Sequence, residues 1–409
     1  MKTKIIAAIL MSFLCIAFLA CDKVACCSSK VNPQQTKKSK PGIYVENGVL
    51  MRKGKPYRGI GVNYFDAFCR VLKNSNDTSY VQGFEQLNKA EIPFVRFMCG
   101  GFWPVENKLY FSDKNAYFNL LDDFVKTAEK NNVGLIPSMF WFFATVPDMM
   151  NEPMDQLGNP NSKSIAFIKQ YTKEIVTRYK NSPAIWGWKL GNEYNLGVDL
   201  PNASNHRPWV WPVLGTATNR TARDEMTSKQ MLIVMEEFAK TVRKYDKTRM
   251  ISTGNAVPPW YAYHNTLDRS WGVDTVDQYK EILSRDNPNP FDTISVHIYP
   301  LKDKKYAARA KNISELIEIT QETAVKAKKP FFLGEFGCPI SFGDEVKPVF
   351  MEFIAAIEKY NVPLAALWVF DMEGQKKDWN VNFKNNRAFM LDEISKANKK
   401  INLSSKITK

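Results

Sequence analysis

Eight short, β-rich apolar runs recur along the chain, each separated from the next by a longer stretch, most of them with helical periodicity. The runs fall at residues 59–63, 94–98, 134–139, 185–191, 250–253, 293–299, 331–334 and 365–370. Between them the apolar spacing predicts helices over 80–90, 115–131, 164–179, 228–245, 313–328 and 346–360. Strands written as continuous apolar runs are buried on both faces, and strand–helix alternation makes them parallel. Eight such units are the number that closes a (β/α)8 TIM barrel, which is the expected fold. An open doubly wound sheet is the alternative, but Gly59-Ile60-Gly61-Val62-Asn63-Tyr64 lacks the third glycine of a dinucleotide-binding loop. Ahead of the first run, Asn47-Gly48 sits between two short apolar segments and predicts a β-hairpin. No internal repeat and no second folded domain are read from the pattern.

The formal charge of +14 suggests a nucleic-acid partner until it is located. Residues 1–40 hold seven lysines against one aspartate, and residues 396–409 hold five lysines and no acid, so the body carries only +3. The concentrated positive field of a nucleic-acid binder is missing, and no nucleic-acid partner is expected. Residues 1–4 form a basic start and 5–20 an apolar segment, too short for a membrane span and placed as a secretory signal. The signal ends Phe18-Leu19-Ala20-Cys21, which resembles a bacterial lipobox. The expectation is an exported lipoprotein, acylated on Cys21 and held to the cell envelope by its lipid alone, on the periplasmic or the surface side. The alternative is an ordinary signal with a chance cysteine. Residues 21–41, rich in Ser, Lys, Gln, Asn and Pro, read as a flexible tether, leaving 42–409 as the hairpin and barrel. Cys69, Cys99 and Cys338 remain in the body, too few for a disulfide framework or a zinc site; one pair or three buried thiols are both open.

Two insertions, 195–227 after the fourth run and 255–275 after the fifth, are longer than ordinary strand-to-helix loops. In a barrel both emerge on the C-terminal face, where active sites are built. They carry Trp209, Trp211, Trp260, Tyr261 and Trp271; any one alone reads as packing its own loop, and the group reads as a sugar-stacking rim. Polar or aromatic residues end several of the strands: Arg96, Asn192-Glu193, His297 with Tyr299, Glu335 and Trp368. Here Trp188-Lys189-Leu190-Gly191-Asn192-Glu193 and Leu333-Gly334-Glu335-Phe336-Gly337 resemble the paired motifs of glycoside hydrolase family 5, the cellulase and β-mannanase family. The resemblance covers residues 57–370.

The resemblance implies a retaining enzyme of endo-β-1,4-mannanase or endo-β-1,4-glucanase type, acting on a polysaccharide or oligosaccharide. Breaking a glycosidic bond requires a proton for the leaving oxygen and a negative group on the far side of the developing oxocarbenium ion. By resemblance Glu193 is the acid/base and Glu335 the nucleophile. Arg96 and Tyr299 would donate to Glu335, Asn192 would hold the sugar 2-hydroxyl, His297 would orient the network, and Trp368 would floor the reacting sugar. Asn63 is a further candidate for the same subsite. Where many members have a histidine near the end of the third strand, Met139-Phe140-Trp141-Phe142-Phe143 is wholly apolar, and Trp141 becomes a stacking candidate. The three histidines have no metal spacing, and neither a Gly-x-Ser-x-Gly elbow nor a P-loop occurs, so no metal or organic cofactor is implied. The alternative function is a surface lipoprotein that binds glycans on the same barrel without cleaving them.

Overall fold

The computed structural model describes residues 40–407; the signal segment, Cys21 and the tether up to residue 39 lie outside the described residues. A three-stranded antiparallel meander comes first, of β1 (Ile43–Glu46), β2 (Val49–Arg52) and β3 (Lys55–Pro56). Asn47 and Gly48 turn it at φ values of 53° and 78°, the doubly positive pattern of a two-residue hairpin. Eight parallel strands follow, one in each expected run: β4 (Gly59–Asn63), β5 (Phe94–Met98), β6 (Gly134–Ser138), β7 (Gly187–Lys189), β8 (Met250–Ser252), β9 (Ile294–His297), β10 (Phe331–Phe336) and β11 (Leu364–Leu367). Their order, β8-β7-β6-β5-β4-β11-β10-β9, runs around a ring in which the last strand pairs back onto the first. This is the (β/α)8 barrel.

The ring has one seam. No ladder joins β8 to β9 among the described residues. There the Asp292 amide donates to the Ile251 carbonyl at 3.0 Å and its carboxylate accepts from the Ile251 amide at 2.7 Å. Beside it, Asn287 Oδ1 accepts from the Ser295 amide and from Thr253 Oγ1, both at 2.9 Å. Two backbone bonds, Asp292 to Ile251 and Val257 to His297 at 3.1 Å, and the side chains of Asp292 and Asn287 thus stand in for a ladder.

Strand alternation sorts the residues into layers. On β5, Phe94, Arg96 and Met98 point into the barrel while Val95 and Phe97 join the helix-facing core. The inward residues nearest the strand starts, Phe94, Ile136, Trp186, Met250, Phe332 and Leu364, form an apolar base with Ile43 and Leu50 of the meander. The Ile43 amide donates to the Trp186 carbonyl at 2.7 Å, so the hairpin plugs the base. One layer higher the inward residues turn polar, and there the chemistry collects.

The expected helices are present at Ser79–Lys89, Lys114–Lys130, Lys163–Tyr179, Ser228–Tyr245, Ile313–Lys326 and Val346–Lys359. Two further helices complete the outer layer, Val276–Arg285 and Phe389–Ile407. The last docks through Asn398, which is buried and bonds both the amide (2.9 Å) and the carbonyl (2.8 Å) of Ile60 on β4. Its lysines meet acids: Lys396 pairs with Glu393 and Lys399 with Glu91. The 195–227 insertion is a chain of single 3-10 turns, and Ala262–Asp268 is a short helix in the 255–275 insertion. Cys69, Cys99 and Cys338 are buried free thiols. No helix among the described residues is long and apolar enough to cross a membrane.

Candidate active site

Glu335 reaches the mouth because β10 breaks its own alternation. Phe332 and Gly334 point inward, and the pairing register shifts between Leu333 and Glu335 against β9. Such a bulge re-aims the following side chain, which turns Glu335 into the barrel. One of its oxygens accepts from Arg96 and the other from Tyr299. Arg96 is fully buried on β5 and spreads its guanidinium over three partners: Glu335, Asn63 Oδ1 at 2.8 Å and Asn192 Oδ1 at 2.6 Å. Burial, followed by the charges of Glu335 and Glu193, holds the Tyr299 phenol protonated well above its ordinary range, as a donor to Glu335 must be.

Glu193 follows β7 with φ 56° and ψ 38°, a left-handed conformation that L side chains seldom adopt. Its amide is tied to the Gly254 carbonyl at 2.8 Å. Strain of this kind persists where the surroundings over-determine it, and it clusters at functional positions. The side chain keeps 26% of its surface open to the cleft, whereas Glu335 keeps 4%. Burial first, then the neighbouring Glu335 charge, pushes the Glu193 carboxyl up to about 8. His297 lies between the two acids, with Nδ1 2.9 Å from Glu193 Oε1 and 3.3 Å from Glu335 Oε1. Burial first, then neighbouring positive charge such as that of Arg96, pushes the imidazole well below its ordinary range, so it is neutral. One oxygen of each acid and one His297 nitrogen lie within 4.8 Å of one another. Ligand-type atoms this close can hold a metal, but here each already has a partner: Glu335 accepts from Arg96 and Tyr299, and Glu193 and His297 bond each other.

Asn63 differs from its expected place. It is fully buried: Oδ1 accepts from Arg96 and Nδ2 donates to the carbonyls of Gly334, Ala366 and Leu367 at 3.0–3.2 Å. With both ends of its amide used by protein, it supports Arg96 from below and does not line the cleft. Asn192 remains at the mouth: its Oδ1 is taken by Arg96, and Nδ2, without a hydrogen-bond partner among the described residues, is the group able to donate to a hydroxyl.

The aromatic residues form an arc. Trp368, whose Nε1 donates to Gln375 at 3.0 Å, meets Phe65 at 5.2 Å; Phe65 meets Phe102, Phe102 meets Trp141, and Trp141 meets Trp103 at 4.8 Å. The Trp141 carbonyl accepts from the Asn192 amide at 2.9 Å, so the apolar end of β6 abuts the acid motif. Trp209, which stays exposed, has Phe142 and Trp211 stacked against it at 5.5 and 5.4 Å, so its loop packs on the segment after β6. Trp260, Tyr261 and Trp271 form a separate edge-to-face cluster. Two residues at the site were not singled out by the sequence. Trp379 packs edge-on against Tyr299 at 4.8 Å from a stretch with no periodic signal. Lys189 lies inside the barrel beside His297, and alternation could not have placed it there: Trp186 and Trp188 face opposite ways because the register against β6 slips between residues 185 and 189.

The fold is shared with solved glycosidases. An endo-1,4-β-mannanase from Rhizomucor miehei is 14% identical, with a TM-score of 0.61, over 88% of this chain and 99% of that one. An endo-β-1,4-mannanase from Thermotoga petrophila gives 14% and 0.59 over 85% and 78%, and a β-glucanase from Saccharophagus degradans 19% and 0.54 over 90% and 95%. In sequence, a probable mannan endo-1,4-beta-mannosidase C from Aspergillus terreus is 58% identical over 31 residues, a stretch that spans 8% of either protein. The profile of the cellulase family, glycosyl hydrolase family 5, matches residues 52–369. With most of the chain inside that match and its barrel in place, the protein belongs to glycosyl hydrolase family 5.

Proposed function

We propose that the protein is a retaining glycoside hydrolase that cleaves a β-linked polysaccharide, a β-mannan or a β-glucan, by double displacement. The observation that carries this reading is the pair of unlike carboxyls: within 4.8 Å of each other, one pushed up to about 8 and open to the cleft, the other enclosed by an arginine and a phenol. Oxygens this close suit direct attack on the anomeric carbon, whereas an inverting pair stands farther apart to admit a water. Glu193 is then the proton donor and later the base, and Glu335 the nucleophile. Asn192 offers Nδ2 to the 2-hydroxyl, and Trp368 supplies the floor. The mannanase names among similar proteins favour β-1,4-mannan as the first substrate to try, with endo cleavage, and the β-glucanase keeps glucan beside it.

The test is azide rescue. Glu335→Ala abolishes the glycosyl-enzyme on every substrate. Glu193→Ala loses natural glycans but still forms the intermediate from an aryl glycoside with an acidic phenol, and azide then captures it as the β-azide. An α-azide from Glu193→Ala, or the opposite pattern between variants, overturns the assignment; from Glu335→Ala an α-azide is expected, because azide attacks the vacated face with a single inversion. A product profile on β-mannan, β-glucan and xylan decides substrate and cleavage mode; tight binding without turnover of any of them would instead make the protein a glycan binder.

A further inference from the structure

Lys189 is fully buried inside the barrel, and none of the roles above uses it. Its Nζ lies 3.3 Å from His297 Nε2, the imidazole nitrogen that faces away from the two acids. The niche is shaped by missing side chains. A Cβ on Gly334 would sit 2.8 Å from Nζ, and one on Gly254 would sit 2.6 Å from Lys189 Cε, closer than real contacts allow. The Phe332 ring lies 5.1 Å from Nζ. The barrel thus leaves a slot for one linear side chain and directs its tip at one partner.

The partner's other nitrogen determines what that contact does. Nδ1 faces Glu193 and Glu335, and Glu335 already accepts from Arg96 and Tyr299. A bare lone pair on Nδ1 would oppose the Glu335 oxygen, and the Glu193 oxygen once Glu193 has given up its proton, so Nδ1 is where a proton is needed when Glu193 acts as base. A neutral imidazole has a single N–H, which leaves Nε2 an acceptor in need of a donor. An amine has N–H groups in either charge state.

We propose that Lys189 is a positioning residue that holds His297 in the Nδ1–H tautomer, so that His297 donates to the two carboxylates and restrains the proton affinity of Glu193. The inference rests on the reading of Glu193 as the acid/base. The charged and titratable groups facing Lys189 are Arg96 from β5, His297 from β9, Glu335 from β10 and Glu193 after β7. Burial, then Arg96, pushes Lys189 well below the ordinary ammonium range, which fits a neutral donor more than a fixed charge.

The test combines nitrogen NMR of the full-length wild-type protein with the pH profile of Lys189→Met. With only three histidines, the His297 signals can be assigned by comparison with a His297 substitution. The wild type is expected to show Nδ1 protonated and Nε2 bare. In Lys189→Met the Nε2–H form gains population, and the basic limb of kcat/KM on a β-glycan moves up by about one pH unit, because Glu193 loses a donor to its charged form. An Nε2–H tautomer in the wild type overturns the proposal. So does a folded Lys189→Met protein with both the tautomer and the basic limb unmoved. The wild-type spectrum needs no activity and no folded variant, so a protein inert on every β-glycan would remove the hydrolase reading while leaving this inference separately decided.

Discussion

Glu193 and Glu335 carry the same functional group, and what separates them is their company. Arg96 and Tyr299 close around Glu335, while burial and that neighbouring charge together push Glu193 up to about 8. The working form of a proton donor is the protonated one, and a raised carboxyl keeps its proton below its own midpoint. On a natural glycan, kcat/KM should therefore fall as the pH rises through about 8, whereas formation of the glycosyl-enzyme from an aryl glycoside with an acidic phenol should lack that decline. Paired pH–rate profiles check this, and a natural-substrate rate still climbing above pH 8 would contradict it. Stacking is also a residue-scale matter. Trp368→Ala in a Glu335→Gln background should weaken oligosaccharide binding about tenfold, and Trp141→Ala should do so less, as measured by titration calorimetry. Unchanged affinity in the Trp368 variant would remove it from the subsite.

At the scale of elements, β10 shows where reading a sequence succeeds and where it stops. Its run of Phe331, Phe332 and Leu333 was legible because both faces of a barrel strand are apolar. Its bulge was not, since strict alternation would send Glu335 outward and only the resemblance to a family placed it in the mouth. Gly334→Ala tests the bulge: the added methyl meets Lys189 Nζ and the His297 ring, so kcat should drop at least tenfold while thermal melting shows a loss of about 1–3 kcal/mol. Wild-type turnover in that variant would mean the bulge is not needed. Other elements were missed for different reasons. Val276–Arg285 follows an insertion of broken periodicity, yet Thr275 and Gln278 cap each other's backbone, a start signal present in the sequence. Phe389–Ile407 was not singled out as a helix. Its structural anchor is Asn398, a polar residue that pattern reading assigns to the surface. Asn63 was misplaced for a related reason: a strand-end asparagine gives no sign of whether its amide faces solvent or four protein partners.

Across the whole molecule, the mature protein should begin at an acylated Cys21 and partition with membranes. Intact-mass analysis showing an unmodified start, or full solubility without detergent, would defeat that expectation. Within the barrel, Asn398→Leu should cost about 3 kcal/mol, because it strips two buried backbone groups of Ile60 of their partners, and a melting curve matching the wild type would contradict it. The seam between β8 and β9 bears on how the protein moves. A ring with a full ladder resists opening everywhere alike, but a ring fastened by Asp292 and Asn287 at one line behaves like a cuff with a clasp. The contact between His297 on β9 and Glu193, whose amide hangs from Gly254 after β8, crosses that clasp. Each time the clasp loosens, the two sides of the proton-transfer network part, so amide exchange at Ile251 and Ser295 should report how often the acid is out of tune with its histidine.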